Sequence, residues 1–127
     1  GDLYLPQLRE WRDMLAAGLT TFAETPEPSR SDCHAWSSSP NYHLLSLVCG
    51  VMPADYGFSK IRVSPNLGDL KEISGTIPHP KGEIRVMFRK NLEGGIDGSI
   101  KTPVGGEFEW RGAKTKLRAG DNEIRVK

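Results

Sequence analysis

A chain of 127 residues, 37% hydrophobic and 26% charged, has room for one ordinary domain, or for one small domain plus a piece of another. Its 17 basic and 16 acidic residues leave a formal net charge of +1, which is no electrostatic footprint for nucleic acid or an anionic membrane surface. The longest apolar run, residues 44–52, is broken by Ser46 and Gly50 and falls far short of the roughly 20 residues of a membrane span.

The opening residues, Gly1-Asp2-Leu3-Tyr4, lack the basic start and apolar core of a signal peptide. Over residues 4–17, Leu5, Leu8, Trp11, Met14 and Leu15 recur at helical spacing, with Arg9, Glu10, Arg12 and Asp13 opposite them. This predicts an amphipathic helix with Trp11 in a core and Gly18 as its stop. Residues 20–39 follow as a polar connection holding Pro26, Pro28 and several serines. It is longer than most loops inside compact domains, and such loops are usually functional or disordered.

A second helix is predicted next, capped by Ser38 or Ser39, with Pro40 in its first turn and Leu44, Leu45, Leu47, Val48, Cys49 and Val51 along it. Apolar on nearly every face, that helix needs cover from several neighbours, and one partner helix covers only part of it. The first half of the chain therefore reads as a fragment of something larger.

After Pro53 the pattern changes to short alternating segments punctuated by glycine, proline and asparagine. Strands are predicted over residues 60–64, 71–77, 83–89, 95–101, 107–111, 115–118 and 122–126. Turns fall at Gly68-Asp69, Glu93-Gly94-Gly95, residues 103–106 and Ala119-Gly120-Asp121. About seven short strands at such intervals predict an antiparallel β-sandwich, with Trp110 in its core. The fold class expected is thus an α+β fragment.

Little in the chain suggests a metal or cofactor. Asp32-Cys33-His34 are adjacent, and adjacent side chains rarely converge on one ion; no second cluster accompanies them. Gly94-Gly95 and Gly105-Gly106 lack the helix and lysine of a phosphate loop and read as hairpin turns. Cys33 and Cys49 have no paired spacing and are expected as free thiols, Cys49 within the core. His43 and His79 carry no partner pattern and read as structural or exposed.

The run Ser31-Asp32-Cys33-His34-Ala35-Trp36-Ser37, followed by Ser39-Pro40 and a leucine-rich helix, resembles a block near the end of the bacterial α-L-rhamnosidases, family 78 of the glycoside hydrolases. So do Gly57-Phe58-Ser59-Lys60-Ile61-Arg62-Val63-Ser64-Pro65, Leu67-Gly68-Asp69-Leu70 and Gly75-Thr76-Ile77-Pro78. The resemblance implies that residues 1–56 are the last helices of an (α/α) barrel and residues 57–127 a terminal β-sandwich. It also implies a parent enzyme that removes terminal α-L-rhamnose from glycosides or polysaccharides with inversion, acting in the bacterial periplasm or outside the cell.

Inversion needs an acid for the leaving oxygen and a carboxylate that activates water from the opposite side. The resemblance places the carboxylate at the end of Gly18-Leu19-Thr20-Thr21-Phe22-Ala23-Glu24, making Glu24 the general base, with Glu27 as fallback. Family members often carry tryptophan where Ala23 stands. A base held ionised implies a nearby cation or donor, for which Arg30 or Thr21 could serve. The resemblance further makes His34 a sugar contact, and Trp36 could stack on the sugar. On the residues alone, Glu24 reads as a solvated loop carboxylate, His34 as a brace for the second helix and Trp36 as core. Residues 18–34 thus hold half a site, and the general acid is expected from the missing N-terminal part of the same polypeptide. The alternatives are a non-catalytic sandwich module with a structural or carbohydrate-binding role, and a small self-contained enzyme using Glu24 with Asp32 or Glu27.

Overall fold

The computed structural model of the chain describes residues 2–127. It begins with a 3₁₀ turn, Leu5–Leu8, that continues as helix α1, Arg9–Ala16. Pro6 suits such a start, because its fixed φ is already helical and its missing N–H has no partner to lose there. Gly18 ends the helix as expected: its φ of 81° lets the Leu19 N–H fold back to the Met14 carbonyl at 3.0 Å. No residue of α1 is buried, and Leu15 remains 73% exposed. Trp11 is half-buried where a core position was expected, its indole N–H donating to the Ser37 carbonyl at 2.7 Å.

The second helical stretch changes character twice. A 3₁₀ turn at Ala35–Ser38 leads into helix α2, Ser39–His43, which widens into a π-helical turn, Leu44–Val48. The predicted serine cap does not form; the Ser38 hydroxyl donates instead to the Ala35 carbonyl. Val51 is not helical. The helix stops at Gly50, whose φ of 72° turns the chain, and whose Cβ, if it had one, would lie 2.0 Å from the Ser64 carbonyl oxygen. Only glycine permits that approach.

Eight strands follow: β1 Val51–Pro53, β2 Ile61–Val63, β3 Glu72–His79, β4 Gly82–Lys90, β5 Ile96–Thr102, β6 Gly106–Trp110, β7 Ala113–Leu117 and β8 Gly120–Val126. They form two four-stranded sheets, β1-β2-β6-β7 and β3-β4-β5-β8. Seven of the eight fall where alternation predicted them. The eighth, β1, lies upstream of residue 57 and pairs with β2. The arrangement also departs from a purely antiparallel sandwich, since β2 and β6 run parallel, Ile61 beside Gly106 and Val63 beside Phe108. Between them the chain crosses to the other sheet for β3, β4 and β5 and then returns, which a hairpin cannot do.

The sheets bury their alternating positions against each other. Ile61, Val63, Phe108, Trp110 and Leu117 from one join Ile73, Ile77, Ile84, Val86, Phe88, Ile96, Ile100 and Ile124 from the other in a single core, with Phe88 and Phe108 rings 5.7 Å apart. Each such side chain contributes about 1.5–3 kcal/mol on leaving water. Trp110 fills its expected core place, although its indole nitrogen has no partner among the described residues. His79 is buried as well. Its Nδ1 accepts from the Lys81 amide at 3.0 Å, so the Nε2 proton goes to the Phe58 carbonyl at 2.8 Å.

Tyr4, Leu5 and Leu45 pack half-buried against this core. Val48 and Cys49 join it where Gly75 of β3 leaves room: a Cβ there would sit 2.9 Å from the Cys49 sulfur and 3.0 Å from Leu45. Leu44 and Leu47 stay exposed. Both cysteines are free, Cys49 buried and Cys33 exposed.

Candidate functional site

The connection between α1 and α2 carries no helix or strand over residues 18–34, yet it is tied across its neck. The Glu24 amide donates to the Ser31 carbonyl at 2.8 Å and the His34 amide to the Phe22 carbonyl at 2.7 Å. The Thr21 hydroxyl donates to the Asp32 carbonyl, and the Ser29 hydroxyl to the Ser31 carbonyl at 2.9 Å. Backbone that has left regular structure thus finds its partners within the loop. The residues between Glu24 and Ser31 form the tip, and Ala23 is buried at its base.

Within this frame the Glu24 side chain is only 6% exposed, and both its oxygens accept from Arg30. Arg30 Nε lies 2.9 Å from Oε2, and Arg30 Nη2 donates to Oε1. A guanidinium fork matched to a carboxylate in this way is the strongest common side-chain ion pair, and it fixes the carboxylate plane as well as its charge. Of the two partners anticipated for Glu24, Arg30 takes the carboxylate, while Thr21 serves the loop neck.

Trp36, at the start of the second helical stretch, reaches back to the same residue. Its indole N–H donates to the Glu24 carbonyl at 3.2 Å, and the His34 ring packs on it with centroids 4.3 Å apart at 42°. Trp36 is nevertheless 65% exposed, so much of its aromatic surface remains open. The structure therefore brings Glu24, His34 and Trp36 together on one loop and its exit. Glu27 and Asp32 stand apart: Glu27 lies exposed at the tip, accepting from the Ser29 amide at 3.2 Å, and Asp32 is exposed. Among the described residues, no three His, Cys, Asp or Glu side chains gather as a metal site would require.

The neck pairing of Phe22 and Glu24 with His34 and Ser31 was not foreseen. Its one sequence signal is the pair of turn-favouring prolines, Pro26 and Pro28, between the two segments that pair.

The sequence model described as "Bacterial alpha-L-rhamnosidase C-terminal domain" matches residues 50–118, just over half of the chain and all of β1 through β7. The chain belongs to that family. The matched span takes in the sandwich of this rhamnosidase C-terminal domain up to β7; Glu24, His34 and Trp36 lie before it. No curated protein matches the chain significantly in sequence.

Among solved structures, the alfa-L-rhamnosidase from Aspergillus terreus superposes with a TM-score of 0.86 at 18% identity, over 97% of this chain and 17% of that one. The alpha-L-rhamnosidase from Dictyoglumus thermophilum gives 0.71 at 20% identity, over 86% of this chain and 16% of that one. The Streptomyces avermitilis alpha-L-rhamnosidase, complexed with L-rhamnose, gives 0.70 at 18%, over 87% and 14%. At such identities the likeness is one of fold. The chain spans less than a fifth of each of these proteins.

Proposed function

We propose that this chain is the C-terminal part of an α-L-rhamnosidase, with residues 1–56 as the last helices of an (α/α) barrel and residues 57–127 as the terminal β-sandwich, joined through β1. Coverage of 97% of the chain by the Aspergillus terreus structure supports this, because it takes in the helical segment as well as the sandwich. So does the apolar groove of about 340 Å³ lined by Leu8, Trp11, Met14, Leu19, Phe22 and Leu44, a surface that further barrel helices would cover.

In this reading the parent enzyme hydrolyses terminal α-L-rhamnosyl groups with inversion, and Glu24 is its general base. The carrying observation is the Glu24 carboxylate, withdrawn from solvent and held in a fixed plane by Arg30, in a residue whose backbone carbonyl accepts from Trp36, on which His34 packs. Each carboxylate oxygen has two lone pairs, so an oxygen that accepts from Arg30 can still take a proton from water. His34 donates to and accepts from sugar hydroxyls, and the exposed face of Trp36 lies against the apolar side of the ring. The general acid stands about 6.5–9.5 Å from Glu24 across the scissile bond and belongs to a preceding part of the polypeptide. One carboxylate cannot protonate the leaving group and activate water in the same inverting step, so the chain alone is inactive.

The alternative of a carbohydrate-binding sandwich would need an exposed aromatic platform. Phe88, Phe108 and Trp110, its candidates, are all buried. The sandwich instead braces the barrel.

The test is turnover of an aryl α-L-rhamnoside by the full polypeptide and its Glu24→Gln variant. The variant is expected to lose at least about 10²-fold in kcat. Turnover near the parental rate would remove Glu24 from the role.

A further inference from the structure

The Glu24–Arg30 pair contains an asymmetry that a simple loop clip does not need. The carboxylate is 6% exposed and the guanidinium 81% exposed. Only the guanidinium end is open to solvent, which screens it, and two long side chains must be ordered to form the pair, so a clip for the loop gains little from it. The loop is already closed beneath the pair by the Glu24 amide to Ser31, the His34 amide to Phe22 and the Thr21 hydroxyl to Asp32. The pair spans only the tip, six residues from carboxylate to guanidinium. Its geometric effect is confined to the carboxylate: two donors on two oxygens set the plane in which the free lone pairs point.

We propose that Arg30 is a positioning residue for Glu24, aiming the carboxylate at the attacking water and opposing its rotation in the transition state. This rests on the reading of Glu24 as the general base. A single-point cation would neutralise the same charge without fixing the plane, so the requirement is for a guanidinium fork rather than for positive charge alone. The exposure of Arg30 has a second consequence: if the side chain is removed, a small guanidinium ion from solvent can enter its place over the carboxylate.

The experiment compares the full polypeptide with its Arg30→Ala, Arg30→Lys and Glu24→Gln variants on an aryl α-L-rhamnoside, with and without millimolar guanidinium chloride. Misaiming a reacting group costs on the order of 10²-fold, so Arg30→Ala is expected to lose about that much in kcat while KM stays within about twofold. Arg30→Lys recovers only part of the loss. Added guanidinium restores Arg30→Ala several-fold and does nothing for Glu24→Gln. Parental kcat in Arg30→Ala alongside an inactive Glu24→Gln overturns the positioning role and leaves Glu24 as base. A loss in Arg30→Ala that guanidinium does not relieve, accompanied by a lowered melting temperature, also overturns it, since a structural clip behaves that way. An active Glu24→Gln removes the base reading itself.

Discussion

The two regions of this chain solve the problem of burial differently. In the sandwich, every long strand turns alternate side chains into one core, and Phe88, Phe108, Ile61, Ile84, Ile96 and Ile100 are sealed from solvent. In the helical region α1 buries nothing and Leu15, Leu44 and Leu47 face outward; only Val48 and Cys49 of its described residues enter the core, with Tyr4, Leu5 and Leu45 packed half-buried against it. The sandwich carries its own cohesion. The helical region has an apolar side without a partner in this chain, and that is the region that holds Glu24. A well-packed module thus anchors a more open one, and the proposed chemistry lies in the open part.

The largest effect that would break the comparison is on the sandwich core. Phe88→Ala leaves a cavity facing Phe108 and is expected to lower unfolding free energy by about 3–5 kcal/mol, read by urea titration. A loss below about 1 kcal/mol would mean that the sandwich is not the source of cohesion.

The junction between the regions comes next. Gly75→Val places a side chain against Cys49 and Leu45 and is expected to cost about 1–3 kcal/mol by lifting the π-helical turn off β3. Thiol labelling gives the sharper readout. Cys49 is buried and its thiol is pushed above the ordinary range by loss of solvation, so in the parent only Cys33 should react quickly. In Gly75→Val both should. Unchanged protection of Cys49 would show that the helical region is held by more than this contact.

The smallest effect lies at Asp55, just before the short 3₁₀ turn Tyr56–Phe58 that links β1 to β2. Its carboxyl is held below the usual aspartate range first by the Tyr56 amide at 2.8 Å, then by Lys60 at 3.2 Å. A depressed folded-state value means that the stabilisation is present above the unfolded value near about 3.9 and is lost as pH falls through the folded one. The amide signals of residues 54–60 should therefore shift at lower pH than an unstructured aspartate would dictate. Titration at or above the ordinary value would contradict the pairing.

Much of the sandwich was legible because period-two alternation is a local signal, and Ile84, Val86 and Phe88 display it plainly. Strand β1 was not, since three residues, Val51-Met52-Pro53, directly after an apolar helix give no alternation to read. The parallel pairing of β2 with β6 was illegible for another reason: it depends on the path of the chain between sheets. In the helical region, leucine spacing showed a helix but not its π-helical end, where the Cys49 amide reaches the Leu44 carbonyl and changes which faces are covered. At the candidate site, the base role that the resemblance implies called for a cation or donor at Glu24, and of Arg30 and Thr21 it is Arg30 that donates to the carboxylate. The indole of Trp36 bonding to the Glu24 carbonyl did not follow, because backbone carbonyls leave no trace in a sequence.

Hydrogen exchange measured on this chain alone and within the full polypeptide tests the comparison most directly. If the sandwich is self-sufficient and the helical region is completed by the rest of a barrel, amides of β3, β4, β5 and β8 will be equally protected in both. Those of α1 and residues 39–48 will exchange rapidly in the isolated chain and slow by at least about 10²-fold in the full polypeptide. Equal protection of the helical amides in both would contradict the account, since the helices would then need no partner beyond this chain.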